Sequence, residues 1–148
     1  MKLWDKGGNT HEKIDFFTVG NDRALDLFLA PYDVKASMAH AEMLAAVGLL
    51  EAEEATNLIT ALEQIGKEIT AGTFEIEADF EDVHSKIEFL LTERLGDVGK
   101  KIHAARSRND QVLVAVQLFL MDQIQEIKTG SQDLFHLLIS LAEKHAGL

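Results

Sequence analysis

The sequence predicts an all-α protein: an N-terminal helical domain over residues 1–108, then the start of a long bundle helix over 109–148. Three observations carry this. There is one proline, Pro31, among 148 residues. The ten glycines fall mostly between periodic segments, and apolar residues recur at helical spacing. With 47% apolar and 26% charged residues, the composition is globular, and a chain of this length can bury one real core.

In chain order, Asp22–Leu50 reads as two helical pieces broken near Pro31, because proline suits the first turn of a helix and disrupts an interior one. Glu51–Ala71 reads as an amphipathic helix whose stripe is Ala55, Leu58, Ile59, Leu62, Ile65 and Ile69, with Gly72 as a left-handed cap. The short polar stretch Gly72–Glu81 alternates at Phe74 and Ile76 and is taken as a loop. Val83–Leu95 is the next helix, opened by the acidic residues of 79–82 and stopped by Gly96.

From Asn109 no proline follows, and the one expected interruption is Lys128-Thr-Gly-Ser131. Nine of the ten residues Val112–Met121 are apolar, on almost every face of the helix. A surface helix of a monomer shows a single stripe. This one is therefore expected to pack against another chain or against sequence beyond these residues, so the chain reads as a fragment. The alternative is the central helix of a small monomeric bundle.

Charge and composition exclude several function classes. Twenty-five acidic against fourteen basic residues give a net charge of −11, which argues against a nucleic-acid or anionic-membrane binder. No cysteine means no disulfide, thiolate nucleophile or sulfur-ligated metal. The start, Met1 to Gly8, has no apolar signal region, and the longest apolar run is far short of the roughly 18 residues that span a bilayer. A cytoplasmic protein is expected.

Against that acidic background, Lys100, Lys101, Arg106 and Arg108 place four of the fourteen basic residues within nine positions. Arginine's fixed fork of donors matches carboxylate or phosphate. Ser107, Asn109 and the first amides of the following helix add neutral donors at its positive end. This reads as a small-anion site, best suited to carboxylates. The bland alternative is a solvated charge run with Asn109 or Asp110 as a helix cap.

The run His103-Ala-Ala-Arg-Ser-Arg-Asn-Asp-Gln-Val112 resembles the H-T-G-R-S-R-N-D-Q-V motif of the argininosuccinate lyase family, within the fumarase/aspartase superfamily that includes delta-crystallin. Further matches follow along the chain: Lys2-Leu-Trp4, Thr18-Val-Gly-Asn-Asp-Arg23, Gly48-Leu-Leu50 and Glu81-Asp-Val-His84 with Ile87-Glu88. They cover the N-terminal third of a lyase chain.

The resemblance implies β-elimination of argininosuccinate to arginine and fumarate, in arginine biosynthesis, without metal or organic cofactor. A base takes a proton beside a carboxylate, the resulting aci-carboxylate carries extra negative charge, and an acid protonates the guanidinium leaving group. Charge-assisted hydrogen bonds contribute about 1.5–3 kcal/mol each, so two or three oriented donors lower such a barrier by several kcal/mol.

By the same resemblance Arg108 and Asn109 recognise carboxylate, and Thr18 and Asp22 belong to an N-terminal loop that touches substrate. Asp82 meets the cationic end of the substrate, with His84 beside it; a helix cap and a structural histidine are their alternative roles. Arg106 binds substrate or holds the loop, Ser107 adds a donor, and His103 supports the loop, with a proton shuttle as its alternative role. No catalytic residue falls in this stretch. The family's proton-transfer residues come from a T-H-L-Q-type segment and a G-S-S-x-M-P-x-K-x-N-P loop, and neither motif occurs here. A homotetramer is implied, with three subunits contributing to each site.

This chain departs from the pattern at Ala104-Ala105, where the family has T-G, and at Ala115, where it has an acidic residue. Those changes keep open a catalytically silent structural or interaction protein on the same scaffold. A related lyase acting on adenylosuccinate is disfavoured by the Arg-Ser-Arg-Asn-Asp-Gln run.

Overall fold

A computed structural model describes residues 17–147, and the Lys2-Leu-Trp4 match lies outside them. Residues 17–19 are helical, followed by α1 (Asp22–Ala46), α2 (Ala52–Thr70), α3 (Val83–Leu95), the short α4 (Asp97–Lys100), a 3-10 turn (Lys101–His103) and α5 (Arg108–His145). Among the described residues there is no strand, and residues 73–77 form the expected loop.

Pro31 does not break the first helix, which runs through it for 25 residues. A proline in a helix interior removes one backbone bond and costs about 3 kcal/mol. Its ring is exposed, while Ala30, Val34, Ser37, Ala41 and Leu44 keep one buried face in register across it. Packing of that face against α2, α3 and α5 offsets the local loss.

The second helix starts with a capping box, in which the Glu51 side chain accepts from the Glu54 N–H, at the helix's third position, and the Glu54 carboxylate accepts from the Glu51 N–H at 3.2 Å. Its apolar stripe is buried as its spacing requires, with Ile59 and Ile69 half-buried at the edges. In α3, Asp82 caps the helix by accepting from the Ser85 N–H at 2.7 Å. Gly72 and Gly96 end α2 and α3 at φ of 70° and 60°, where a side chain would be strained. The core joins Leu44, Leu58, Leu62, Ile65, Ile87, Leu91 and Ile102.

The last helix is continuous through Lys128–Ser131, contrary to expectation. The Thr129 and Ser131 hydroxyls donate to the carbonyls of Gln125 and Ile127, one turn back, and so stay within the helix. At about 1.5 Å per residue its 38 residues span roughly 57 Å.

Only its first turns are covered. Gln111 and Ala115 are buried, and Phe119 meets Tyr32 edge-on at 5.8 Å. Farther along, Met121, Ile124 and Ile127 are 64–69% exposed. The helix is therefore not the centre of a self-contained bundle of the described residues. None of the described helices is long and apolar enough to cross a membrane.

Candidate functional site

Three segments meet where α1, the N-terminus of α3 and the loop before α5 converge. The first turn of α1 grips the segment before α3. Arg23 donates to the carbonyls of Phe80 (2.7 Å) and Ala78 (3.0 Å), and Asp26 accepts from the Val83 N–H at 3.0 Å. That N–H is one of the amides a helix start leaves without an internal partner. Asp26 and Asp82 thus bring two carboxylates to the positive end of one helix. Burial pushes the Asp26 carboxyl up, while its bond from Val83 acts the other way.

Arg108, the first residue of α5, lies over this helix end. Its guanidinium donates to Asp82 and to the Ser85 hydroxyl, both at 3.2 Å, with Glu88 3.9 Å away. Two of its five donors are used in this way, and the side chain is 23% exposed. It is held in place with donors to spare.

Ser107, and neither Asn109 nor Asp110, caps α5. Its hydroxyl accepts from the Asp110 N–H, and the Asp110 carboxylate accepts from the Ser107 N–H at 2.7 Å, a second capping box. That backbone bond, with the Ser107 hydroxyl, lowers the Asp110 carboxyl below its ordinary range. Asn109 is exposed beside Arg108.

Arg106 turns inward. It donates to the Ser37 hydroxyl at 3.2 Å, and burial lowers its pKa while the nearby Asp33 carboxylate opposes that fall. His84, 2% exposed, has Nδ1 2.9 Å from Asp33, close but not aligned as a hydrogen bond. His103 Nδ1 is 3.6 Å from Glu88. His40 Nε2 meets the Ala104 carbonyl at 2.9 Å, and Ala105 has φ of 57°, in the left-handed region.

The structure therefore brings Arg108 together with Asp82, and Arg106 together with the elements behind His84. Asp22 opens α1 and influences Asp26 only through space; it is exposed, as is Thr18 on the 17–19 turn. Sequence reasoning missed Asp26, Asp33, Ser37, His40 and Ser85. The signal for three of them is visible in hindsight: Asp33, Ser37 and His40 place polar groups at i, i+4 and i+7 on a helix face otherwise apolar.

Two cavities, about 420 Å³ between α2 and α3 (Asn57, Thr60, Arg94) and about 530 Å³ between α1 and α2 (Val34, Met38, Gly66), include no candidate residue. Among the described residues no three His, Asp or Glu side chains group as a metal site requires.

Residues 12–147 match a family model described as lyase. The argininosuccinate lyase of Bacteroides fragilis is 51% identical over 145 residues, covering 98% of this chain and 32% of the relative. That of Bacteroides thetaiotaomicron shows the same identity and coverage. The Xanthomonas euvesicatoria argininosuccinate lyase is 43% identical over 147 residues, covering 99% of this chain and 34% of its own. The chain spans about a third of the length of these relatives, and it belongs to the lyase family.

Proposed function

We propose that these residues form the N-terminal third of an argininosuccinate lyase, which releases arginine and fumarate by β-elimination in arginine biosynthesis. The observation that carries this is Arg108: one cation of a rare basic island, fixed at the start of α5 with part of its fork still available. The similarity to argininosuccinate lyases along nearly the whole chain supports the same reading.

In this reading Arg108 and Asn109 hold a carboxylate of the succinyl group and oppose the charge that grows as the proton leaves. Asp82, which already balances Arg108, faces the cationic end of the substrate, and His84 backs it from the interior. Ser107 fixes the helix start, its hydroxyl engaged with Asp110, Arg106 anchors the loop from below, and Thr18 and Asp22 contact the substrate from the N-terminal side. Residues 1–108 form the domain that presents these groups, and 109–148 begin the central bundle of a cytoplasmic homotetramer. The base and the acid come from other parts of the whole enzyme.

The whole lyase chain should release fumarate from argininosuccinate and rescue an arginine auxotroph, while residues 1–148 alone should release none. Fumarate release by the 148-residue chain would contradict this division of labour. A second reading, a silent scaffold protein, is favoured by one observation: Ala105 holds a left-handed backbone that alanine resists. A whole chain that folds but neither turns over nor rescues growth would select it.

A further inference from the structure

The buried face of α1 carries a polar stripe with no part in the reading above. Asp33 and Ser37 are wholly buried and His40 is half-buried, between the apolar positions Ala30, Val34, Ala41 and Leu44. Each polar member addresses the segment that leads into Arg108. His40 meets the Ala104 carbonyl at 2.9 Å and Ser37 accepts from Arg106 at 3.2 Å, while Asp33, one turn before Ser37 on the same buried face, forms no hydrogen bond with Arg106 and favours its cation only through space. On its other side Asp33 stands 2.9 Å from His84, two residues beyond Asp82.

Asp33 thus lies between the same two segments that Arg108 and Asp82 join at the surface. This is not how stability alone would fill a core. Both Asp33 oxygens, the Arg106 Nε and the His84 Nδ1 are buried without a well-formed hydrogen bond. Apolar residues of similar volume commonly serve stability as well or better than a buried ion pair.

We infer that Asp33 is a positioning residue: through Arg106 and His84, with Ser37 as second anchor, it sets where Arg108 and Asn109 point. This rests on the lyase reading. A small displacement of such groups is enough to matter, since an error of about 1 Å far from the chemistry can cost about 10²-fold in rate.

The test is a double-mutant cycle on kcat/KM for fumarate release by the whole lyase chain. D33N should lower kcat/KM about tenfold in the otherwise wild-type enzyme, and by less than about twofold in an R108A background, because the residue it aims is gone. A purely structural loss would scale both backgrounds alike. Equal losses in the two backgrounds, or no loss in either, would overturn the inference. S37A supplies the same comparison if D33N does not fold, with about a threefold loss expected only when Arg108 is present. A wild-type chain that releases no fumarate would overturn the lyase reading itself, and this inference with it; wild-type activity with additive variants overturns this inference alone.

Discussion

Ala105 holds a φ of 57° in the turn that leads from the 3-10 segment to α5. A left-handed residue with a Cβ costs about 1–2 kcal/mol, against the smaller entropic cost of a glycine in the unfolded chain. Ala105→Gly should therefore stabilise the chain by about 0.5–1 kcal/mol in urea denaturation; a loss of stability would show that the alanine methyl makes a compensating contact. Ser107→Ala should cost about 1 kcal/mol, since it removes the cap of the longest helix. His40 is half-buried against the Ala104 carbonyl, and burial, with Arg106 and His103 nearby, holds its pKa below 6.5, while the Ala104 bond and Asp110 pull the other way. Between the folded and unfolded values the unfolded chain binds more protons, so this contribution disfavours the fold progressively as pH falls below about 6.5. Melting curves at about pH 7.5 and pH 5.5 should converge when His40 is replaced by glutamine, and an unaltered pH dependence would remove His40 from that role.

At the scale of the element, local patterns were legible wherever packing and propensity agree. Val83–Leu95 has both boundaries marked in its own sequence, and the stripe of α2 specifies its buried face. The two misread features are cases where propensity is overruled. Pro31 lies in a helix whose buried face continues on both sides of it, and the Lys128–Ser131 segment keeps its helix by returning hydroxyls to the preceding turn. Gly130 is the weak point of that segment, and a Cβ added there meets nothing within 4 Å. Gly130→Ala should raise the stability of α5 by about 1 kcal/mol, read as a higher midpoint in thermal circular dichroism. An unchanged or lower midpoint would mean that this turn is not an independent helical position.

The candidate site was legible only in part for a related reason. The basic island stands out because four cations within nine residues contrast with an acidic chain. Asp33, Ser37 and His40 do not, because their partners lie at 84, 104 and 106, and no local pattern announces a contact across so much sequence.

For the molecule as a whole, the decisive feature is the bare length of α5. Ile124, Ile127, Leu134, Phe135 and Leu138 are all more than half exposed, an apolar surface of the kind that marks an interface. The 148-residue chain should accordingly self-associate in light scattering at about tens of micromolar, and a clean monomer would count against burial of this helix between chains. That exposed helix begins at Arg108, so whatever covers it would also approach the cluster of Arg108, Asp82 and Ser85. The most direct test of the account is kcat/KM for fumarate release by the whole lyase chain with Arg108→Ala. A fall of about 10²-fold or more is predicted if this guanidinium meets the developing carboxylate charge, and turnover indistinguishable from wild type would contradict it.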